Sequence, residues 1–253
     1  MLLFSEFSVI KYASKVVAQL RTLYFSYIIF CCRGPNSAIL HYGHAGRPND
    51  RKIQDGDMCI SDMGGEYRCY ASDITVSFPA NGKFTEKQKI IYSAVLDANR
   101  TVQRTMKPGV CWVDMHVLAQ RIILQHLLRA GIIKGDIEKM MESNLGAVFM
   151  PHGLGHFLGL ECHDVGGYPE SSFSSLRTSR VLQPRMVITV EPGCYFIESF
   201  LVLSKIDEYR DFGGVRIEDD VLVTETGSEL LTPVPREITQ IEAIMAPCRS
   251  TQL

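Results

Sequence analysis

The sequence lacks the features that mark membrane-spanning and nucleic-acid-binding proteins. Its apolar run 23–32 is ten residues long and broken by Ser26, well short of the about 20 residues that cross a bilayer. The apolar start at residues 1–4 is soon followed by charged side chains, so neither a secretory signal nor an anchor is predicted. The net charge is only −2, with no basic stripe. We therefore expect a small substrate, with no nucleic acid and no membrane as partner.

Cysteine is present without the spacing that would give it a structural role. The eight cysteines are scattered and form no CxxC pair, so nothing indicates a sulfur-rich zinc site. In a chain of this size the pattern predicts reduced, mostly buried thiols in a cytosolic, cytoplasmic protein. No internal repeat, low-complexity tract or linker divides the chain after residue 36. With 253 residues, 46% of them hydrophobic, one large domain with a sizeable core is expected.

The pattern of apolar residues predicts both helices and strands. Thr85 can cap a helix that runs to about Met106, and a second helix is expected over residues 114–130. A weakly amphipathic helix is expected near the N-terminus, over residues 7–20. The strand-like runs are 24–32, 58–77 with a turn at Gly64-Gly65, 186–190 and 215–224. The sequence therefore predicts a mixed fold in which residues 58–77 form a hairpin.

Two aspartates lie on the arms of this predicted hairpin. If the chain folds back near Tyr67, Asp62 and Asp73 lie roughly opposite each other and project from the same face of the sheet. Two such carboxylates repel each other, and a bound dication removes that penalty. The alternative is that one or both aspartates only solvate a turn.

Three of the seven histidines fall within twelve residues, His152, His156 and His163. An isolated histidine is more often a packed or capping residue than a ligand, and that interpretation holds for His116 and His126. His156 differs because nearby glycines permit close backbone approach. Taken together, one imidazole and four carboxylates form a hard, oxygen-rich set that suits two divalent cations, as in a metallohydrolase; the carboxylates are Asp62, Asp73, Glu191 and Glu218.

Several separated motifs carry a resemblance to a known family. In chain order they are Asn36-Ser37-Ala38-Ile39-Leu40-His41-Tyr42-Gly43-His44-Ala45-Gly46, Asp62-Met63-Gly64-Gly65, Ser72-Asp73-Ile74-Thr75, Pro151-His152-Gly153-Leu154-Gly155-His156, Val190-Glu191-Pro192-Gly193 and Val215-Arg216-Ile217-Glu218-Asp219-Asp220. The sequence from about Asn36 to Pro247 resembles prolidase (Xaa-Pro dipeptidase), one of the pita-bread metallopeptidases, as are aminopeptidase P, methionine aminopeptidase and creatinase. Arg185 stands where the family usually has glycine.

The resemblance implies an α/β (α+β) pita-bread fold, a curved and mainly antiparallel sheet flanked by helices. Residues 36–253 would be the catalytic domain, and residues 1–35 a divergent segment that is a remnant of the first helix and strand. Members of the prolidase branch carry a further N-terminal domain that helps to form a homodimer. We expect this sequence to lack that domain, which leaves the homodimer an open question.

The resemblance also implies roles for individual residues. Asp62 would bind one metal ion, Asp73 and Glu218 would bridge both ions, and His156 with Glu191 would complete the ligand set of the second ion. Two divalent ions, usually manganese, would hold a bridging hydroxide that attacks the peptide carbonyl. The expected catalytic residues are His163, which would hydrogen-bond the scissile region, and Glu191, which would pass on a proton. The substrate would contact His41, His152 and Arg177. Spacing alone does not choose between His41 and His44, and Arg177 could equally be solvated.

The expected function is hydrolysis of Xaa-Pro dipeptides by a dinuclear metallopeptidase. One alternative is an aminopeptidase P activity, which removes the residue before proline from longer peptides. Another is a non-catalytic pita-bread protein that binds a partner, since folds support more than one function. The four converging carboxylates argue against the last alternative, because a binding module has no need for charges that repel one another without metal.

Overall fold

The computed structural model describes residues 24–25, 30–40, 51–67, 69–168, 175–197 and 206–249, and in these ranges short antiparallel strands pack against helices. The strands are β1 Tyr24–Phe25, β2 Phe30–Arg33, β3 Met58–Met63, β4 Gly65–Tyr67, β5 Tyr70–Ala71, β6 Ile74–Pro79, β7 Val187–Val190, β8 Gly193–Tyr195, β9 Gly214–Arg216, β10 Asp219–Val223 and β11 Ser228–Leu230. The helices are α1 Glu86–Thr105, α2 Trp112–Arg129, α3 Ile137–Glu142, α4 Gly146–Phe149 and α5 Ile238–Arg249.

Every ladder between the described strands is antiparallel. The strand orders are β1-β4-β5, β2-β3-β6, β11-β10-β7 and β8-β9. Helix α1 packs on α2 and on strands of the sheets, and the buried faces of both helices join β7, β9 and β10 in one hydrophobic core. Apolar burial of this extent is the main source of stability for the framework that holds the site.

Helix α1 begins where the sequence predicts. The Thr85 hydroxyl accepts a hydrogen bond from the backbone of Gln88 at 3.3 Å, and the Gln88 side chain accepts one from Thr85 N–H at 2.9 Å. This reciprocal pair satisfies two backbone donors that a helix N-terminus otherwise leaves unpaired. Helix α2 begins at Trp112, two residues before the predicted start. The fully buried Trp112 ring and a 3.0 Å bond from its backbone N–H to the Arg180 carbonyl fix the chain at that point.

The register of the 58–77 hairpin differs from the prediction. Strands β3 and β6 pair so that Asp62 lies opposite Thr75, and Asp73 directly precedes β6. Direct opposition of Asp62 and Asp73 is therefore wrong, and the two are diagonal neighbours on one face. The fold-back at Tyr67 occurs in a second ladder, β4–β5, in which Tyr67 pairs with Tyr70. The chain between the aspartates leaves the first sheet to form this hairpin.

Two other strand predictions divide in the structure. The run 24–32 becomes β1 and β2, which lie in different sheets, with residues 26–29 outside the described ranges. The run 215–224 becomes β9 and β10, and Glu218 lies at the break between them. The helix predicted over residues 7–20 is also outside the described residues.

Arg185 adopts an unusual backbone conformation. Its φ of +70° lies in the left-handed region, which costs a residue with a side chain about 1–2 kcal/mol more than glycine. Arg185 lies in the short connection before β7, and its backbone N–H donates to the Val223 carbonyl at 2.8 Å.

None of the described helices is long and apolar enough to span a membrane.

Candidate metal centre

Five predicted ligands converge from separate parts of the fold. Asp62 lies in β3, Asp73 precedes β6, Glu191 follows β7 and Glu218 lies between β9 and β10, while His156 comes from the loop after α4. Four of the five side chains are at most 6% exposed, and that of Glu191 is 18% exposed. Because the four carboxylates lie in, next to or between strands, the sheets fix their backbone positions.

Distances around His156 place its ring among three carboxylates. The Nε2 atom lies 3.5 Å from Asp73 Oδ2, 3.7 Å from Glu191 Oε1 and 3.8 Å from Glu218 Oε1. Among the described residues, possible ligand atoms lie within 4.8 Å of one another in three sets: Asp62, Asp73 and Glu218; His156, Glu191 and Glu218; and Asp73, His156 and His163. Glu218 is common to the first two sets, Asp73 to the first and third, and His156 to the second and third, so the donors form overlapping groups.

The orientation of His156 leaves Nε2 available to a ligand. Its Nδ1 lies 3.0 Å from the Phe157 carbonyl oxygen, which can only accept, so Nδ1 is the donor of that bond and in the neutral ring the lone pair is on Nε2, which faces the carboxylates. The backbone around the ring is held by β7, where Thr189 N–H donates to the His156 carbonyl at 2.9 Å. A Cβ on Gly155 would lie 2.0 Å from the Thr189 carbonyl oxygen, so close backbone approach requires glycine there.

The carboxylates carry a large electrostatic penalty. Burial, together with the charges of neighbouring acids, raises the pKa of Asp73 and of Glu218 well above their usual ranges. Burial also raises the pKa of Glu191 to about 7. In addition, Asp62 Oδ1 and Asp73 Oδ1 are buried without a hydrogen-bond partner among the described residues. Orphaned carboxylate oxygens in an acidic cluster fit divalent cations, which supply both the missing positive charge and the missing contacts.

Two further residues support the carboxylates from behind. The buried Arg216 donates through Nη2 to Asp62 Oδ2 at 2.6 Å and through Nε to Thr75 Oγ1 at 3.2 Å. Thr75 in turn donates its hydroxyl proton to Glu218 Oε2 at 2.6 Å. These bonds orient one oxygen of each carboxylate and leave the other oxygen for a ligand. Sequence reasoning missed both residues, although an arginine between Val215 and Ile217 in a buried strand signals a paired charge.

Of the predicted substrate and catalytic residues, His163 and His152 lie close to the centre. The His163 ring contacts the His156 ring edge to face, with centroids 4.5 Å apart. His152 Nδ1 lies 2.7 Å from the Gly153 carbonyl oxygen and its Nε2 lies 2.8 Å from the Tyr195 hydroxyl. The Tyr195 hydroxyl also accepts a 3.2 Å hydrogen bond from Arg216 Nη1. A series of hydrogen bonds therefore connects His152 through Tyr195 to Arg216, the residue that donates to Asp62.

The remaining predicted residues are less constrained. Arg177 is half-buried in the segment before β7, and His41 lies outside the described residues. His126 is not part of the centre, because its Nε2 contacts Asp97 Oδ2 at 3.0 Å between α2 and α1. His116 is buried in α2, where burial lowers its pKa to about 4.

Comparisons with known proteins identify the family. A family model described as Metallopeptidase family M24 matches residues 5–225. The chain is 59% identical over 243 residues to Xaa-Pro dipeptidase of Mus musculus and 58% identical over 243 residues to that of Homo sapiens, in each case 88% of this chain and 49% of the relative. It therefore spans about half the length of these curated relatives.

A solved structure, aminopeptidase PepP of Pseudomonas aeruginosa, resembles the chain with a TM-score of 0.79 and 39% identity, covering 94% of this chain and 52% of that one. The predicted pita-bread fold is confirmed by this likeness and by the family match. The chain belongs to metallopeptidase family M24.

Proposed function

We propose that the chain is a dinuclear metallopeptidase that hydrolyses Xaa-Pro dipeptides. The observation that carries the proposal is the pair of overlapping donor groups that share Glu218, in a chain 58–59% identical to Xaa-Pro dipeptidases. A lone cation would need one such group. Two groups with a common carboxylate suit two cations held side by side, as in hydrolases that use two metals.

The donor sets suggest which residues would hold each cation. Asp62 would bind one ion, and His156 with Glu191 would complete the shell of the other. Asp73, Glu218 and His156 each belong to two of the three donor groups. A carboxylate has two oxygens with which to bridge two ions, whereas the His156 ring has only Nε2 to offer because its Nδ1 contacts the Phe157 carbonyl, and this supports a bridging role for Asp73 and Glu218. We propose manganese as the ion, since oxygen-rich ligand sets suit it. When bound, two such ions lower the pKa of a shared water and stabilise negative charge on the peptide carbonyl oxygen.

The chain's own side chains would then handle the substrate and the proton. Glu191 has the most exposed side chain of the five predicted ligands, at 18%, so its carboxylate can lie in the centre and still meet a substrate that arrives from solvent. We propose that it accepts a proton from the attacking water and delivers it to the leaving amine. His163, in ring contact with His156, would hydrogen-bond the peptide near the scissile bond.

A dipeptidase must also detect the free carboxylate next to the scissile bond. The half-buried Arg177 suits that task, because a guanidinium can donate two parallel hydrogen bonds to a carboxylate. His152 has a different constraint, since contacts with Gly153 and Tyr195 occupy both of its ring nitrogens. We propose that His152 contacts the substrate through its ring face or by exchanging the Tyr195 bond.

An aminopeptidase P activity is the second candidate. It is favoured by the structural likeness to PepP, whereas the higher sequence identity favours the dipeptidase. The two activities differ in whether the residue after proline is tolerated. Assays of Gly-Pro, Gly-Pro-amide and a tripeptide with proline in second position distinguish them. We expect Gly-Pro to be hydrolysed with the highest kcat/KM, and a preference for the tripeptide would establish the alternative.

The metal dependence and the ligand set are tested together. The protein should bind about two Mn²⁺ ions per chain, and chelation should abolish hydrolysis until Mn²⁺ is restored. Asp73→Asn and Glu218→Gln should each lower kcat by roughly a thousandfold or more, because each removes a bridging charge. His126→Gln is the control, and it should change kcat less than about twofold because His126 contacts Asp97 away from the centre. Full activity in the metal-free protein would refute the proposal.

A further inference from the structure

Three carboxylates of the metal centre each accept a hydrogen bond from a different kind of side chain. Arg216 donates to Asp62 at 2.6 Å and Thr75 donates to Glu218 at 2.6 Å. For Asp73 the donor is the thiol of Cys162, whose Sγ lies 3.0 Å from Oδ2. The same oxygen lies 3.5 Å from His156 Nε2, and the opposite oxygen, Oδ1, has no hydrogen-bond partner among the described residues.

The Cys162 thiol is held in place by a closed loop. Asp164 N–H donates to the Phe157 carbonyl at 3.0 Å, which closes the loop over Gly159. Ala71 N–H, two residues before Asp73, donates to the Gly159 carbonyl at 3.0 Å and joins the loop to β5. Cys162 itself is 9% exposed. Because these hydrogen bonds hold the loop that carries Cys162 against the strand that leads to Asp73, the fold itself sets the contact between the thiol and the carboxylate.

The chemistry of a thiol suits this position. A carboxylate oxygen has two lone pairs, so Oδ2 can accept from the thiol and still bind a cation. An uncharged donor adds no positive charge that would repel the cation, in contrast to a lysine or arginine at the same place. Cys162 and His163 are adjacent, and they contact Asp73 and His156 respectively. Two adjacent residues of the chain thus contact two predicted metal ligands.

We propose that Cys162 is a positioning residue of the metal centre, whose S–H···O bond fixes the rotation of the Asp73 carboxylate for cation binding. The inference rests on the proposed function only in taking Asp73 as a metal ligand. Loss of a side chain that orients a ligand commonly weakens metal binding by about 10- to 100-fold. A thiol is a weak donor, so we expect about tenfold.

The test compares Mn²⁺ affinity by titration calorimetry in Cys162→Ala, Cys162→Ser and the wild-type protein. Alanine removes the donor and should weaken binding by about tenfold. Serine restores a donor and should recover most of that loss. The control is Cys111→Ala, since the Cys111 thiol lies 3.9 Å from the Ser179 carbonyl oxygen, away from the centre, and it should leave the affinity unchanged. Metal-free stability in urea, measured on all variants, separates positioning from unfolding.

Infrared spectroscopy supplies a second readout that needs neither folding of a cysteine variant nor metal. In the metal-free wild-type protein one S–H stretching band should lie below the others, because a thiol that donates to a carboxylate has a weakened S–H bond. Asp73→Asn should move that band upward. The role of Cys162 is refuted if Cys162→Ala binds Mn²⁺ as tightly as the wild type, or if the low S–H stretching band does not shift in Asp73→Asn. Neither result depends on peptidase activity, whose loss in the Asp73 and Glu218 variants tests the proposed function separately.

Discussion

Glu191 allows the electrostatic argument for the metal centre to be tested through protein stability. Burial raises its pKa from an ordinary 4.5 to about 7. The folded metal-free protein therefore keeps a proton that the unfolded chain releases as the pH rises from about 4.5 to 7. Stability is lost across this window, and at pH 8 the loss attributable to Glu191 is about 3 kcal/mol. Glutamine at this position is similar in shape and carries no charge, so Glu191→Gln should remove the loss.

The measurement is the free energy of unfolding in urea, with chelator present, at pH 4.5, 6, 7 and 8. The variant minus wild-type difference should rise by about 3 kcal/mol between the ends of this range. Taking the difference cancels other titrating groups, including His116. Glu225→Gln, an exposed change between β10 and β11, is the matched control and should give a flat difference. With Mn²⁺ at about 100 times its dissociation constant, binding stabilises the wild type by about 2.7 kcal/mol and the advantage of the variant should disappear.

A difference that does not change with pH in the metal-free protein would refute the reasoning. It would mean that Glu191 is solvated in the folded state, and that the carboxylates carry no electrostatic penalty that a bound cation would relieve. If the stability difference depends on pH but Mn²⁺ does not change it, the electrostatic penalty at Glu191 is real and is not relieved by metal binding.

Three further predictions concern substrate recognition and stability. Arg177→Lys keeps the positive charge but loses the planar guanidinium that can donate two parallel hydrogen bonds. The kcat/KM for Gly-Pro should therefore fall about tenfold or more, Gly-Pro-amide should be less disfavoured relative to Gly-Pro, and the Mn²⁺ content should be unchanged. An unchanged preference for the free acid would show that Arg177 does not bind the substrate carboxylate. Burial holds the pKa of His116 at about 4, so the neutral ring stabilises the fold above pH 6.5 and that stability is lost as the pH falls towards 4. Urea unfolding of His116→Phe should therefore lose about 3 kcal/mol less than the wild type between pH 7 and pH 4, and equal losses would contradict this. Arg185→Gly should raise the free energy of unfolding by about 0.5–1 kcal/mol, because glycine relieves the positive φ at an exposed position, and a destabilised variant would show that the arginine has a compensating contact.

Elements governed by local chemistry could be predicted from the sequence. The Thr85 cap and the apolar spacing that follows it predicted α1, and its end near Met106 agrees with the structure. Likewise, Glu191 at the end of a β-like run lies directly after β7. Capping and periodicity act within one or two turns of chain, so their information is present in neighbouring residues.

Strand register and strand breaks could not be predicted in this way. The sequence favoured Asp62 opposite Asp73, but the pairing of β3 with β6 placed Thr75 there. Register is decided by which face of each strand packs against distant elements, and the separate β4–β5 hairpin takes up the intervening residues. The division of the run 215–224 at Glu218 has a similar origin, because β9 pairs with β8 while β10 pairs with β7 and β11.

The sequence by itself determined the chemical character of the centre, since four carboxylates and a histidine in recognisable motifs already favour divalent cations. Only the tertiary structure decided which atoms meet and what supports them. The bonds from Arg216 to Asp62, from Thr75 to Glu218 and from Cys162 to Asp73 join residues 154, 143 and 89 positions apart. Contacts over such separations follow from the packing of sheets and loops, which local sequence patterns do not encode.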